Sequence, residues 1–129
     1  MKFDEFKLQQ QVCRYLELKY KGTPFFSDTI ANVKLNVIQA SRNKSIQKNG
    51  FKMPDLVILQ PNYYHAGLFI ELKIKTPYKL NGELKKDEHL QGQQNTINQL
   101  NELGYFATFA VGFDEAREII DEYMTHVLK

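Results

Sequence analysis

One cysteine in 129 residues, Cys13, rules out an internal disulfide and any zinc site built on several thiolates. With Val12 and Tyr15 close by, it reads as a small buried hydrophobe rather than a reactive thiol. The three histidines, His65, His89 and His126, are scattered without metal-ligand spacing, which argues against a zinc hydrolase or a histidine-based nuclease. A Gly-rich phosphate loop is missing, so no nucleotide cofactor is expected. No apolar run approaches the ~18 residues of a membrane span, and Met1-Lys2-Phe3-Asp4-Glu5 lacks a signal peptide's apolar core. The expectation is a cytoplasmic protein without a membrane partner. One sign of charge is also missing locally. Between Asp28 and Asp55 there is no acid, while Lys34, Arg42, Lys44, Lys48 and Lys52 fall in that interval. A net charge of +2 is too small to argue for nucleic acid, but a one-sign stretch leading to Asp55 would attract a polyanion. The bland alternative is a solvated helix and loop.

What is present fits one domain over residues 1–129. Hydrophobic residues make up 43% and charged residues 25%, the balance of an ordinary soluble protein with a real core.

Chemistry concentrates in Pro54-Asp55-Leu56-Val57-Ile58-Leu59 and Leu68-Phe69-Ile70-Glu71-Leu72-Lys73. Both are short runs rich in branched residues, the pattern of buried strands, and residues 60–67 between them are short enough and rich enough in turn formers for a hairpin. Antiparallel pairing would set the start of the first strand beside the end of the second. Side chains two apart on a strand share a face, so Glu71 and Lys73 would lie together near Asp55. Two carboxylates at one sheet end repel unless a cation joins them, and magnesium accepts one or two carboxylates plus waters and phosphate. Taken alone, a Pro-Asp turn and a charged strand end are common in any globular protein.

The order Pro-Asp, strand, turn, strand bearing Glu-Leu-Lys resembles the PD-(D/E)XK nuclease superfamily, and its flanks resemble the VRR-NUC branch. Those flanks begin at Glu5, run through residues 49–55 and 67–73, resume at Gln93 and residues 100–105, and end in residues 111–116. The resemblance implies an α/β, restriction-endonuclease-like fold, a mixed central sheet of about four strands flanked by helices. It implies a DNA endonuclease of phage or bacterial type, using Mg2+ or Mn2+, in the host cytoplasm if phage-encoded. Its metal ligands would be Asp55, Glu71, the Leu72 carbonyl and Glu5, with Lys73 and Gln93 as further catalytic residues. Such enzymes act on duplexes or on junctions, flaps and nicks, and a homodimer is plausible on symmetry grounds. The rival function is a nucleic-acid-binding module that keeps the fold with weak catalysis.

The remaining elements read as follows. A helix from Phe3 to about Tyr20 carries an inward stripe of Leu8, Val12, Tyr15 and Leu16 that Glu5 continues toward the amino end. Glu5 there serves either the helix dipole or a metal. Residues 25–28 form a strand, and a helical or irregular connection runs to Lys48. Residues 74–89 form an insertion that is either a mobile lysine-bearing flap over DNA or a surface loop. A helix from about Leu90 to Leu103 places Gln93 near the centre of its stripe and Gln94 at the edge. Gln93 there satisfies buried backbone or lines the site. A strand over 105–111 precedes a final helix that Asp114 is expected to cap. Candidate phosphate-binding residues are Arg42, Lys44, Lys48, Lys52 and Lys75.

Overall fold

The computed structural model describes residues 2–28 and 35–128; Lys34 lies outside the described residues. Among the described residues four helices and four strands follow in the order α1 (Lys2–Lys19), β1 (Phe25–Ser27), α2 (Val37–Ser45), β2 (Leu56–Ile58), β3 (Leu68–Lys73), α3 (Glu88–Glu102), β4 (Phe106–Val111) and α4 (Gly112–Thr125). The expected α/β architecture and element order are present. The strands form one sheet in the order β1-β2-β3-β4. The first three pair antiparallel, and β3 pairs parallel to β4 through the α3 crossover, which makes the sheet mixed.

The alternation of side chains along the strands sorts the core into two layers. Leu56, Ile58, Leu68, Ile70, Leu72 and Ala110 face α1 and α4, where Leu8, Val12, Leu16, Ala116, Ile120 and Tyr123 meet them. Val57, Phe69, Ala107 and Phe109 face the other way, toward Ile97 and Leu100 of α3. Burial on both faces explains why β2 and β3 read as nearly unbroken apolar runs. Cys13 packs half-buried at the edge of the first layer, and burial raises its thiol pKa. α1 and α4 are also joined by a polar knot, in which Asp121 accepts from the hydroxyls of Tyr15 and Tyr20, both at 2.6 Å.

One expectation is corrected. Asp114 does not cap α4: the helix starts at Gly112, whose φ of 79° only glycine adopts cheaply, and Val111 stands at the N-cap with no side-chain bond. Glu115 instead reaches back, its carboxylate accepting from the Val111 N–H at 2.9 Å. The insertion after Lys73 lies largely exposed at the surface and turns back on itself as a small hairpin bridged between Tyr78 and Leu84. No described helix is long and apolar enough to cross a membrane.

Candidate active site

Asp55 and Glu71 meet where β2 begins and β3 ends. The register pairs Leu56 with Ile70 and Ile58 with Leu68, so one step back sets Asp55 against Glu71. A further step sets Pro54 against Leu72. The Leu72 N–H, directed to that side, donates to Asp55 Oδ2 at 2.9 Å. A strand residue's carbonyl points to the same side as its N–H in an antiparallel pair, and Pro54 has no N–H to offer it. The proline, itself fully buried, thus leaves the Leu72 carbonyl without a ladder donor beside the two acids.

The turn holding Asp55 is braced from α1. Gln9, buried at 6% exposure, donates from its amide to the Asp28 carbonyl at 2.9 Å and to the Asp55 carbonyl at 3.5 Å, and the Asp28 N–H donates to the same Asp55 carbonyl at 2.9 Å. Sequence reasoning passed over Gln9. The available signal was a glutamine one helical turn after Glu5 on the inward stripe.

Glu71 is the most perturbed acid of the site. It is buried at 7% exposure, and desolvation, then the charge of Asp55 and a hydrogen bond to it, push its pKa from 4.5 up to about 9. Lys73 works against that rise, and Glu5 adds to it as the weakest of these charges. Lys73 follows Glu71 on the same face and keeps its ammonium 5.8 Å from the centre of the Phe109 ring. Asp55, Glu71 and Lys73 are therefore brought together. Glu5, half-buried, is within electrostatic reach of Glu71 and His89. It does not complete a three-carboxylate cluster: among the described residues no three His, Cys, Asp or Glu side chains stand as a metal-holding group.

α3 supplies a network that the scattered histidines concealed. His89 and Gln93 are one turn apart, so they share a face. Lys52 Nζ lies 3.1 Å from His89 Nδ1, and His89 Nε2 lies 3.2 Å from Gln93 Nε2. An ammonium can only donate, so Nδ1 accepts and the ring proton sits on Nε2. Burial, then Lys52 and Lys73, lower the pKa of the ring, which favours its neutral form. In this amide orientation two N–H groups face each other while Gln93 Oε1 is buried without a partner. Exchanging the amide atoms resolves the conflict, with the Gln93 carbonyl accepting from His89 Nε2–H. The amide NH2 then occupies the buried position and carries two donors. Gln93 is 7% exposed, whereas Gln94 donates to Asn98 at 2.8 Å near the surface, so the helical phase expected for the pair holds.

The basic residues divide. Arg42, Lys44, Lys48 and Lys75 are exposed. Lys52, exposed as well, leans over α3: its backbone N–H donates to Thr96 Oγ1 at 3.1 Å, and its stem passes so close to Gly92 that a Cβ there would lie 3.4 Å from Lys52 Cε.

A mixed four-stranded sheet between helices, with Pro-Asp and Glu-Leu-Lys meeting at one end, defines a restriction-endonuclease-like domain of nuclease type. A solved structure described as a VRR_NUC domain protein matches 95% of this chain and 89% of its own at a TM-score of 0.64 and 25% identity, so the chain is similar to a VRR-NUC protein over nearly its whole length. No family model matches the sequence, and no curated protein is significantly similar to it.

Proposed function

We propose that the protein is a metal-dependent endonuclease that hydrolyses DNA phosphodiesters. The observation that carries this reading is the contact of Asp55 with the buried Glu71, raised to a pKa of about 9, with Lys73 on the same face. A buried glutamate whose charge is disfavoured by desolvation and by the neighbouring Asp55 becomes favourable as an anion when a dication joins the two acids. Asp55, Glu71 and the Leu72 carbonyl, all hard oxygen donors, fit Mg2+ or Mn2+. That ion would supply Lewis-acid polarisation of the phosphate and a more acidic water.

The chain's own residues do the remainder. The Leu72 N–H fixes one Asp55 oxygen and leaves the other for the ligand. Lys73 orients the attacking water and offsets charge gathering on the phosphate. Gln93, its carbonyl held by His89, positions the water network of the site through that ring rather than through its own buried NH2. Glu5 stands behind the pair and biases a bound water rather than forming the core of the site. Arg42, Lys44, Lys48 and Lys75 hold the DNA backbone. A second copy would serve the second strand of a duplex.

The test is incubation of the purified chain with labelled duplex, flap and four-way-junction DNA, in magnesium and in chelator. Cleavage in magnesium alone, nearly abolished by Asp55→Asn, Glu71→Gln or Lys73→Ala, is the expected result. Binding without cleavage of any substrate would favour a nucleic-acid-binding module instead.

A further inference from the structure

The chain between β3 and α3 is a fastened hairpin. The Lys79 N–H donates to the Glu83 carbonyl at 2.7 Å and the Lys85 N–H to the Pro77 carbonyl at 2.9 Å, while Gly82 turns the chain at φ 88°. Asn81 locks the turn through its side chain, bonding the Glu83 N–H and carboxylate, both at 3.0 Å. The underside is anchored to the α3 layer. Pro77 is fully buried, Tyr78 stands edge-on to Phe109 at 6.2 Å between ring centres, and Leu84 packs against the core beneath α3. The apex faces the other way. Leu80 there is fully exposed, whereas Tyr78, 39% exposed, rests an edge on Phe109 and Leu84 is half-buried.

Lysines outnumber acids around that apex. Residues 74–86 hold four lysines, Lys75, Lys79, Lys85 and Lys86, against one acid, Glu83. Both feet stand at the candidate active site, because the hairpin leaves directly after Lys73 and returns at Asp87, the N-cap of the helix bearing His89 and Gln93. A single exposed leucine elsewhere would mean nothing. Here it crowns a rigid, lysine-flanked protrusion, which suits lysines on phosphates and an apolar tip between base steps. A flexible loop would lose more freedom on binding than this pinned hairpin does.

Resting on the nuclease reading above, we propose that residues 77–85 form a DNA wedge: Leu80 enters the base stack near the scissile phosphate while the lysines grip the backbone. Duplexes already weakened by a nick, flap or branch are then the preferred substrate class, since unstacking costs least there. Seven residues from Lys73 to Leu80 reach at most ~25 Å, so the disturbed step lies within about seven base pairs of the cut.

The experiment uses the full chain, calcium in place of magnesium to suppress hydrolysis, and intact or nicked duplexes carrying 2-aminopurine at successive positions around the cleavage point mapped in magnesium. The expected result is a several-fold rise in 2-aminopurine fluorescence at one step, kept by Leu80→Phe and lost by Leu80→Ser. Leu80→Ser should also bind nicked DNA three- to tenfold more weakly and lose the preference for nicked over intact duplex. Being fully exposed, Leu80 is replaceable without unfolding. Binding and cleavage with no fluorescence rise, or an equal rise in Leu80→Ser, would overturn the wedge and leave the nuclease reading standing. Absence of DNA binding altogether would overturn both.

Discussion

At the residue scale the Pro-Asp pair has a physical reason. Proline opposite Leu72 removes a ladder donor, and the aspartate beside it takes the Leu72 N–H through its side chain, so the strand end does not close on itself. The cost falls on Glu71. A carboxyl whose folded pKa is raised loses stability as pH climbs from the unfolded value toward the folded one, because the unfolded chain releases its proton first. Without divalent cations, the Glu71 contribution should therefore be complete near pH 4 and fall by up to about 3 kcal/mol by pH 7. Glu71→Gln removes that slope. Its thermal midpoint in chelator should exceed wild type by several degrees at pH 8 and match it near pH 4, a comparison that calorimetry makes directly. A parallel decline in both proteins would mean that Glu71 ionises freely. His89 and Gln93 should act as one unit. His89→Ala and Gln93→Ala are each expected to lower kcat by roughly tenfold with little change in KM, and the double variant should be scarcely worse than either single one. Multiplicative losses in steady-state kinetics would separate them.

At the scale of the element, α2 and α3 put basic residues to different uses. α2 buries none of its side chains and is held by a capping box between Asn36 and Gln39, so its charges are exposed to solvent. Replacing Arg42, Lys44 and Lys48 with glutamine should change stability by no more than about 0.5 kcal/mol. If they neutralise phosphates, the slope of log affinity against log salt should fall by roughly 0.9 for each phosphate set free on duplex DNA. Titrations in calcium over a salt series measure this, and an unchanged slope would place DNA elsewhere. Lys52 belongs to α3's arrangement instead. Gly92, a helix-interior glycine that costs about 1 kcal/mol relative to alanine, leaves room for its stem. Gly92→Leu should dislodge Lys52 from His89 and reproduce the kinetic loss of His89→Ala, whereas Gly92→Ala should keep activity and gain up to about 1 kcal/mol in denaturant unfolding.

For the whole molecule, the proposed cation would link its binding to folding through the sheet end. β2 and β3 are buried on both faces, so repulsion between Asp55 and Glu71 acts on the centre of the fold rather than on a loop. Magnesium at 100 times its dissociation constant should stabilise the protein by about 2.7 kcal/mol, seen as a concentration-dependent rise in thermal midpoint at pH 8. The rise should be absent in Asp55→Asn. Equal stabilisation of wild type and variant would locate the ion away from this pair.

The sequence by itself determined the elements and the two acids. Strand burial shows as unbroken apolar runs, helix faces show as a 3.6-residue period, and the Asp55, Glu71 and Lys73 spacing follows from strand alternation, all of which are local properties of the chain. It also separated Gln93 from Gln94 by helical phase alone. Only the tertiary structure decided what depends on distance between elements. His89 joins Lys52 across 37 residues, Gln9 reaches the Asp55 turn across 46, and the insertion hardens into a hairpin because Tyr78 finds Phe109 on β4. Side chains that read as scattered polar residues acquire partners when the β3-α3-β4 crossover lays one helix over the sheet end, and no periodicity within a segment encodes which partner from another segment will lie beneath it.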